Sequence, residues 1–126
     1  MKYSTIWRLY MLPEEKDAAL LWDMLKAARE IVQFVERATY AEFQSNKMLR
    51  YAVERQVLVI GEAAKRVSSA FKDSYPQIPW TAIIGQRNIL AHEYGEVLIE
   101  RIWRVSTVFV PELINLLTPL LPKPPA

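Results

Sequence analysis

The chain has 126 residues, 52% of them apolar and 24% charged, with a formal net charge of +2. This length suits one domain, and the apolar content supports a packed core and excludes an intrinsically disordered chain. The lack of cysteine excludes a disulfide scaffold and a thiolate metal site, and a single histidine, His92, excludes a multi-histidine metal site within one chain.

The small positive balance permits nucleic-acid binding without arguing for it, since strongly binding domains carry more, and clustered, basic charge. No apolar run approaches the length of a membrane span. The N-terminal stretch MKYSTIWRLYMLPEEK has neither a clean apolar core nor a small-residue cleavage site, and reads as neither a signal peptide nor a transit peptide. A reducing cytoplasm is the expected location.

The periodicity is helical nearly throughout. A first helix is predicted over Glu14 to Ala38, with Pro13 at its start and Glu14, Glu15 and Asp17 at the positive end of the helix dipole. Its apolar stripe is Leu21, Leu25, Ala28, Val32 and Val35. Thr39 to Phe43 reads as a connection or short turn. Ser45 or Asn46 caps a second helix over Lys47 to Phe71, whose inward positions are Tyr51, Val57, Leu58, Ala64, Val67 and Phe71. Gly61 inside that helix costs about 1 kcal/mol relative to alanine and marks a close helix contact. Pro79 opens a third helix that runs to His92 or Tyr94, with Gly95 ending it. A fourth helix, Glu96 to Leu117, places Leu98, Ile102, Val105, Phe109, Leu113 and Leu116 on one face and is kinked or split by Pro111. The domain reading is an N-terminal extension over 1–16, one helical domain over 17–117 and a proline-rich tail over 118–126. The expected fold class is an all-α, single-domain bundle of four to five helices.

The segment Gly85-Gln86-Arg87-Asn88-Ile89-Leu90-Ala91-His92-Glu93-Tyr94-Gly95 gathers the sole histidine, an arginine, an amide and a phenol near one helix end. Asn88 and His92 share a face, whereas Arg87 and His92 lie about 140° apart around an ideal helix. The chemistry suits phosphodiester cleavage. Histidine exchanges a proton near neutrality, and arginine presents a permanent, planar donor fork to phosphate oxygens. In RNA the 2′-hydroxyl is an internal nucleophile, so no metal is required. With one histidine, the second proton-transfer group is Glu93 or Tyr94 of the same chain, or comes from a second copy across a two-fold dimer. Against this stands the plainer reading of Arg and His at this spacing as chance, with His92 capping or packing. The basic side chains Arg50, Arg55, Lys65, Arg66, Arg101 and Arg104 either track an RNA backbone or form solvated helix faces, and the second is preferred. Trp22, Trp80 and Trp103 read as core or interface anchors.

The pattern Arg87, NILA, His92, Glu93, Tyr94 resembles the HEPN ribonuclease superfamily and, more closely, the HepT toxin family. The stretches DAALLWDMLKAAREIVQFV, VLVIGEAAKRVSSAF, YPQIPWTAIIGQRNILAHEY and IWRVSTVFVPELINLL are also similar to that family, so the resemblance covers roughly Asp17 to Leu117. Relatives more often carry glycine where this chain has Glu93, which sets a negative charge beside His92. The resemblance implies a HEPN-type two-fold homodimer and a metal-independent endoribonuclease toxin of a toxin–antitoxin pair. It assigns Arg87 and His92 as the catalytic pair and Asn88 as a supporting residue, while Glu93, where this chain departs from the family, is read from its own chemistry as a proton-transfer or tuning group. It implies no cofactor of the chain's own. The implied partner is an MntA-like nucleotidyltransferase antitoxin that uses ATP to AMPylate Tyr94. The alternative expectation is a non-catalytic helical dimer that binds such a nucleotidyltransferase and its nucleotide or substrate.

Overall fold

The computed structural model describes residues 13–121, and among these every regular element is helical. Helix α1 spans Pro13–Val35 and α2 spans Tyr40–Ser45, followed by α3 over Lys47–Arg66 and α4 over Ser69–Ser74. Helix α5 spans Trp80–His92. A composite rod follows, made of α6 (Gly95–Arg104), a π-turn (Val105–Phe109) and α7 (Val110–Leu117), and a 3₁₀ turn closes it at Thr118–Leu120. The expected all-α bundle is therefore present as four long rods and two short helices. The segments 1–12 and 122–126, which hold most of the expected extension and tail, lie outside the described residues.

Helices α1 and α3 form the central pair, with α5 packed on α3 and α7 on α1. The stripe anticipated on α1 is the core face: Leu21, Leu25, Ala28 and Val35 are buried, together with Met24 and Ile31. Val53, Val57, Ile60 and Ala64 answer from α3. Each fully buried aliphatic side chain stabilises the fold by about 1.5–3 kcal/mol, far more than helix propensity supplies over a turn. One polar latch fixes the ends of this pair. Asp17, buried at the start of α1, accepts the Ser68 backbone N–H at 2.8 Å and the Ser68 hydroxyl at 2.6 Å.

That latch explains one departure from the expected boundaries. The second helix ends at Arg66 rather than Phe71, because Val67 and Ser68 adopt extended backbone. Ser68 then caps the short α4 by accepting the Phe71 N–H at 3.1 Å. The stretch 39–43 is more than a turn. Thr39 caps α2, whose Phe43 is fully buried against Trp103 at 5.2 Å, and the Arg50 guanidinium donates to the carbonyls of Phe43 and Gln44 at its far end. A six-residue helix is too short to persist alone, so this anchor and these caps hold it.

Two inward assignments are corrected. Tyr51 is exposed, since the buried face of α3 runs through Val53, Val57 and Ile60. Phe109 is half exposed because the π-turn inserts one extra residue ahead of Pro111, turning Ser106 and Val110 inward instead. Proline cannot donate to the carbonyl one turn back, and the chain absorbs that defect by widening: the Val110 N–H reaches the Val105 carbonyl. The Ser106 and Thr107 hydroxyls donate to the carbonyls of Ile102 and Trp103, each at 2.8 Å.

Candidate active site

Helix α5 carries the site, and Gly61 of α3 sets how near it lies. Gly61 is buried, and a Cβ there would stand 3.4 Å from the Ile83 carbonyl oxygen, so the two backbones approach closely where α3 crosses α5. Trp80 anchors the other end of α5. Its ring is buried against Phe71, and its indole N–H donates to the Tyr75 carbonyl at 3.0 Å.

Between α3 and α5 opens a groove of about 670 Å³. Arg87 and Asn88 line it from α5, facing Glu62 and Lys65 of α3. The Arg87 Nη1 donates to Glu62 Oε1 at 3.3 Å, with the two side chains 66% and 50% exposed. The guanidinium is therefore open to solvent and aimed across the groove, where a phosphate oxygen can reach it.

His92 is the last residue of α5 and is exposed. It does not line the groove, so Arg87 and Asn88 are brought together there without the imidazole. Five residues of regular helix separate Arg87 from His92 by about 140° of rotation and roughly 7.5 Å of rise.

The turn after His92 is built from extended backbone. Glu93 caps α5, its N–H donating to the Ile89 carbonyl at 2.9 Å, and Tyr94 is also extended and 85% exposed. Gly95 corrects the expected chain reading. It does not end α5 but starts α6, with φ of +68°, a left-handed conformation that side chains resist. Glu96, in the first turn of α6, is held by α2: Gln44 Nε2 donates to its Oε2 at 3.1 Å and the Tyr40 hydroxyl donates to the same oxygen at 3.3 Å. The loop bearing His92, Glu93 and Tyr94 is thereby pinned at both ends.

Glu62 is the site residue that sequence reasoning missed, and Lys65 was assigned to a solvated face. The available signal was their spacing of three on one helix beside a glycine that draws another helix close. No group of three or more aspartate, glutamate or histidine side chains forms a cation-binding cluster among the described residues. None of the described helices is long and apolar enough to cross a membrane.

Comparison with known proteins gives one family and several relatives. A family model described as HepT-like, "Ribonuclease HepT-like", matches residues 24–120. "Putative RNase MJ1380" of Methanocaldococcus jannaschii is 37% identical over 95 residues, covering 75% of this chain and 87% of that protein. "Putative RNase MJ1216" of the same organism is 34% identical over 102 residues, covering 81% and 84%. "Probable ribonuclease HepT" of Thermococcus cleftensis is 31% identical over 93 residues, covering 74% and 84%. No solved structure matches the chain.

Proposed function

The chain belongs to the HepT-like ribonuclease family, and from that premise we propose that it is a metal-independent endoribonuclease whose reaction is carried by Arg87 and His92. The observation that carries this reading is the exposure of both groups on one helix, with Arg87 opening into the α3–α5 groove beside Asn88 and Lys65.

The reaction is an internal transesterification. His92 takes the proton of the RNA 2′-hydroxyl, the freed oxygen attacks the adjacent phosphorus, and the bond from phosphorus to the 5′-oxygen breaks. A second group returns a proton to that leaving oxygen. Arg87 binds the non-bridging oxygens and stabilises the charge that gathers on them, and Asn88 donates to the same phosphate. Glu93 and Tyr94 are the candidates for the second group within one chain. A two-fold dimer supplies another, the His92 of a second copy, and we favour it because the extended turn leaves Tyr94 standing out into solvent.

The same exposure supports control by a partner. An MntA-like nucleotidyltransferase would transfer AMP from ATP to the Tyr94 oxygen with release of pyrophosphate, completing a toxin–antitoxin pair. The adduct sets a bulky anion beside His92 and Arg87, where it competes with and repels RNA. Tyr94→Phe is expected to resist such inactivation and still cleave RNA. Neutralisation of Tyr94→Phe as fully as wild type by an active partner enzyme would remove the tyrosine as the control point.

Incubation with a single-stranded oligoribonucleotide tests the activity. The expected products are a 2′,3′-cyclic phosphate and a 5′-hydroxyl, with the matching DNA uncut and with no cleavage by His92→Ala of unchanged helicity. RNA left intact by the wild-type protein would favour the alternative, a non-catalytic helical module that engages a nucleotidyltransferase.

A further inference from the structure

The partner that Arg87 has in the folded chain is itself an anion. Among the described residues, its one ion pair is with Glu62, across the groove between α3 and α5. Both side chains are at least half exposed, and an exposed pair of this kind adds little to fold stability. Its consequence is geometric: it turns the guanidinium towards α3 and keeps it occupied. Lys65, one turn from Glu62 on the same helix, lines the same groove, as does Asn88. The groove thus holds two cations and one carboxylate, and that carboxylate sits on the cation assigned to the substrate.

We propose that Glu62 is an internal competitor for the RNA phosphate, holding Arg87 until a polyanion that also engages Lys65 displaces it. This rests on the reading of Arg87 as the substrate's phosphate ligand. A carboxylate and a phosphodiester offer the guanidinium fork equivalent oxygen pairs, so they exclude one another. A lone phosphate gains only Arg87 and must break the ion pair to do so. A strand gains Arg87 and Lys65 together and breaks the pair once. Glu62 therefore biases the groove against mononucleotides and free phosphate and in favour of a chain of phosphates. After displacement the carboxylate is left facing the RNA and attracts a solution cation, which offsets part of the counterion release on binding.

The test is equilibrium binding of a fluorescein-labelled single-stranded oligoribonucleotide, followed by anisotropy across a salt range. His92→Ala serves as the parent so that the probe is not cut. Adding Glu62→Gln, which keeps the side chain's shape and removes its charge, is expected to tighten binding about two- to five-fold, the strength of an exposed ion pair. It should steepen the plot of log affinity against log salt by up to about 0.7. Inorganic phosphate should then compete with the probe at concentrations that leave the parent unaffected. Glu62→Asp, which retains the charge, should stay close to the parent. Lys65→Gln should weaken binding and flatten the salt plot by about 0.7. Unchanged or weaker binding by Glu62→Gln would overturn the proposal, and a loss of cleavage with unchanged affinity would make Glu62 a proton-transfer group instead. If the His92-intact protein cleaves RNA while Glu62→Gln binds as the parent does, the competitor role alone fails. If the His92-intact protein neither cuts nor binds the probe, the nuclease reading fails and this proposal falls with it.

Discussion

Single side chains set both the stability and the chemistry of this protein. Asp17 illustrates the first. It is buried and accepts from the Ser68 backbone N–H and hydroxyl together, so removing it leaves both donors without their acceptor at the junction of α1, α3 and α4, although the hydroxyl still caps the Phe71 N–H. Asp17→Ala is expected to destabilise the fold by about 2–3 kcal/mol, measured by urea unfolding, the range for a buried group stripped of charged hydrogen-bond partners. The roles proposed for Arg87 and His92 illustrate the second. Both residues were legible in the sequence because the histidine is unique, both lie on one local helix, and their spacing resembles the HepT family's motif. Glu62 was not, because its link to Arg87 spans 25 residues and exists only once α3 and α5 have packed.

At the scale of elements, the site loop is positioned by its neighbours rather than by its own helix. Helix α2 grips the first turn of α6 through Tyr40, Gln44 and Glu96, and the Tyr40 ring also lies 5.8 Å from Trp103. Loss of hydration and the nearby carboxylates of Glu96 and Glu100 hold the Tyr40 phenol above the ordinary tyrosine range. A pKa raised on folding means that the stabilisation is complete below the unfolded value near 10 and is lost as pH rises through the folded one. An ultraviolet titration should therefore show a late-ionising tyrosine that disappears in Tyr40→Phe, and the variant should lose less stability than wild type under strongly alkaline conditions. Loss of an ordinarily ionising tyrosine in Tyr40→Phe, with the late ionisation unchanged, would remove this strut. Sequence periodicity found α1 and its core stripe because that helix is regular from end to end. It misplaced Phe109 because one residue inserted ahead of Pro111 moves the inward positions to Ser106 and Val110, and it misplaced Gly95 because a left-handed glycine serves the start of one helix as readily as the end of another. The short α2 was unreadable as a helix, since its stability comes from Phe43 and Arg50 rather than from its own six residues.

For the whole molecule, the composite rod presents Val97, Arg101, Arg104 and Val108 as exposed residues at spacings of four, three and four. Such a stripe fits self-association along the rod, with apolar contacts at its ends. In the dimer proposed above, sedimentation should give twice the chain mass, and Val97→Glu should yield a folded monomer with cleavage reduced at least ten-fold. A fully active monomer would show that one chain suffices. The central claim is that Arg87 and His92 stabilise a single transition state. The direct measurement is single-turnover cleavage of one oligoribonucleotide by wild type, Arg87→Ala, His92→Ala and the double variant. Each single change should slow cleavage by about 10²–10⁴-fold, and the double variant should be little slower than the worse single one, as expected of groups acting together. Cleavage by His92→Ala at the wild-type rate, or losses that simply multiply, would contradict it.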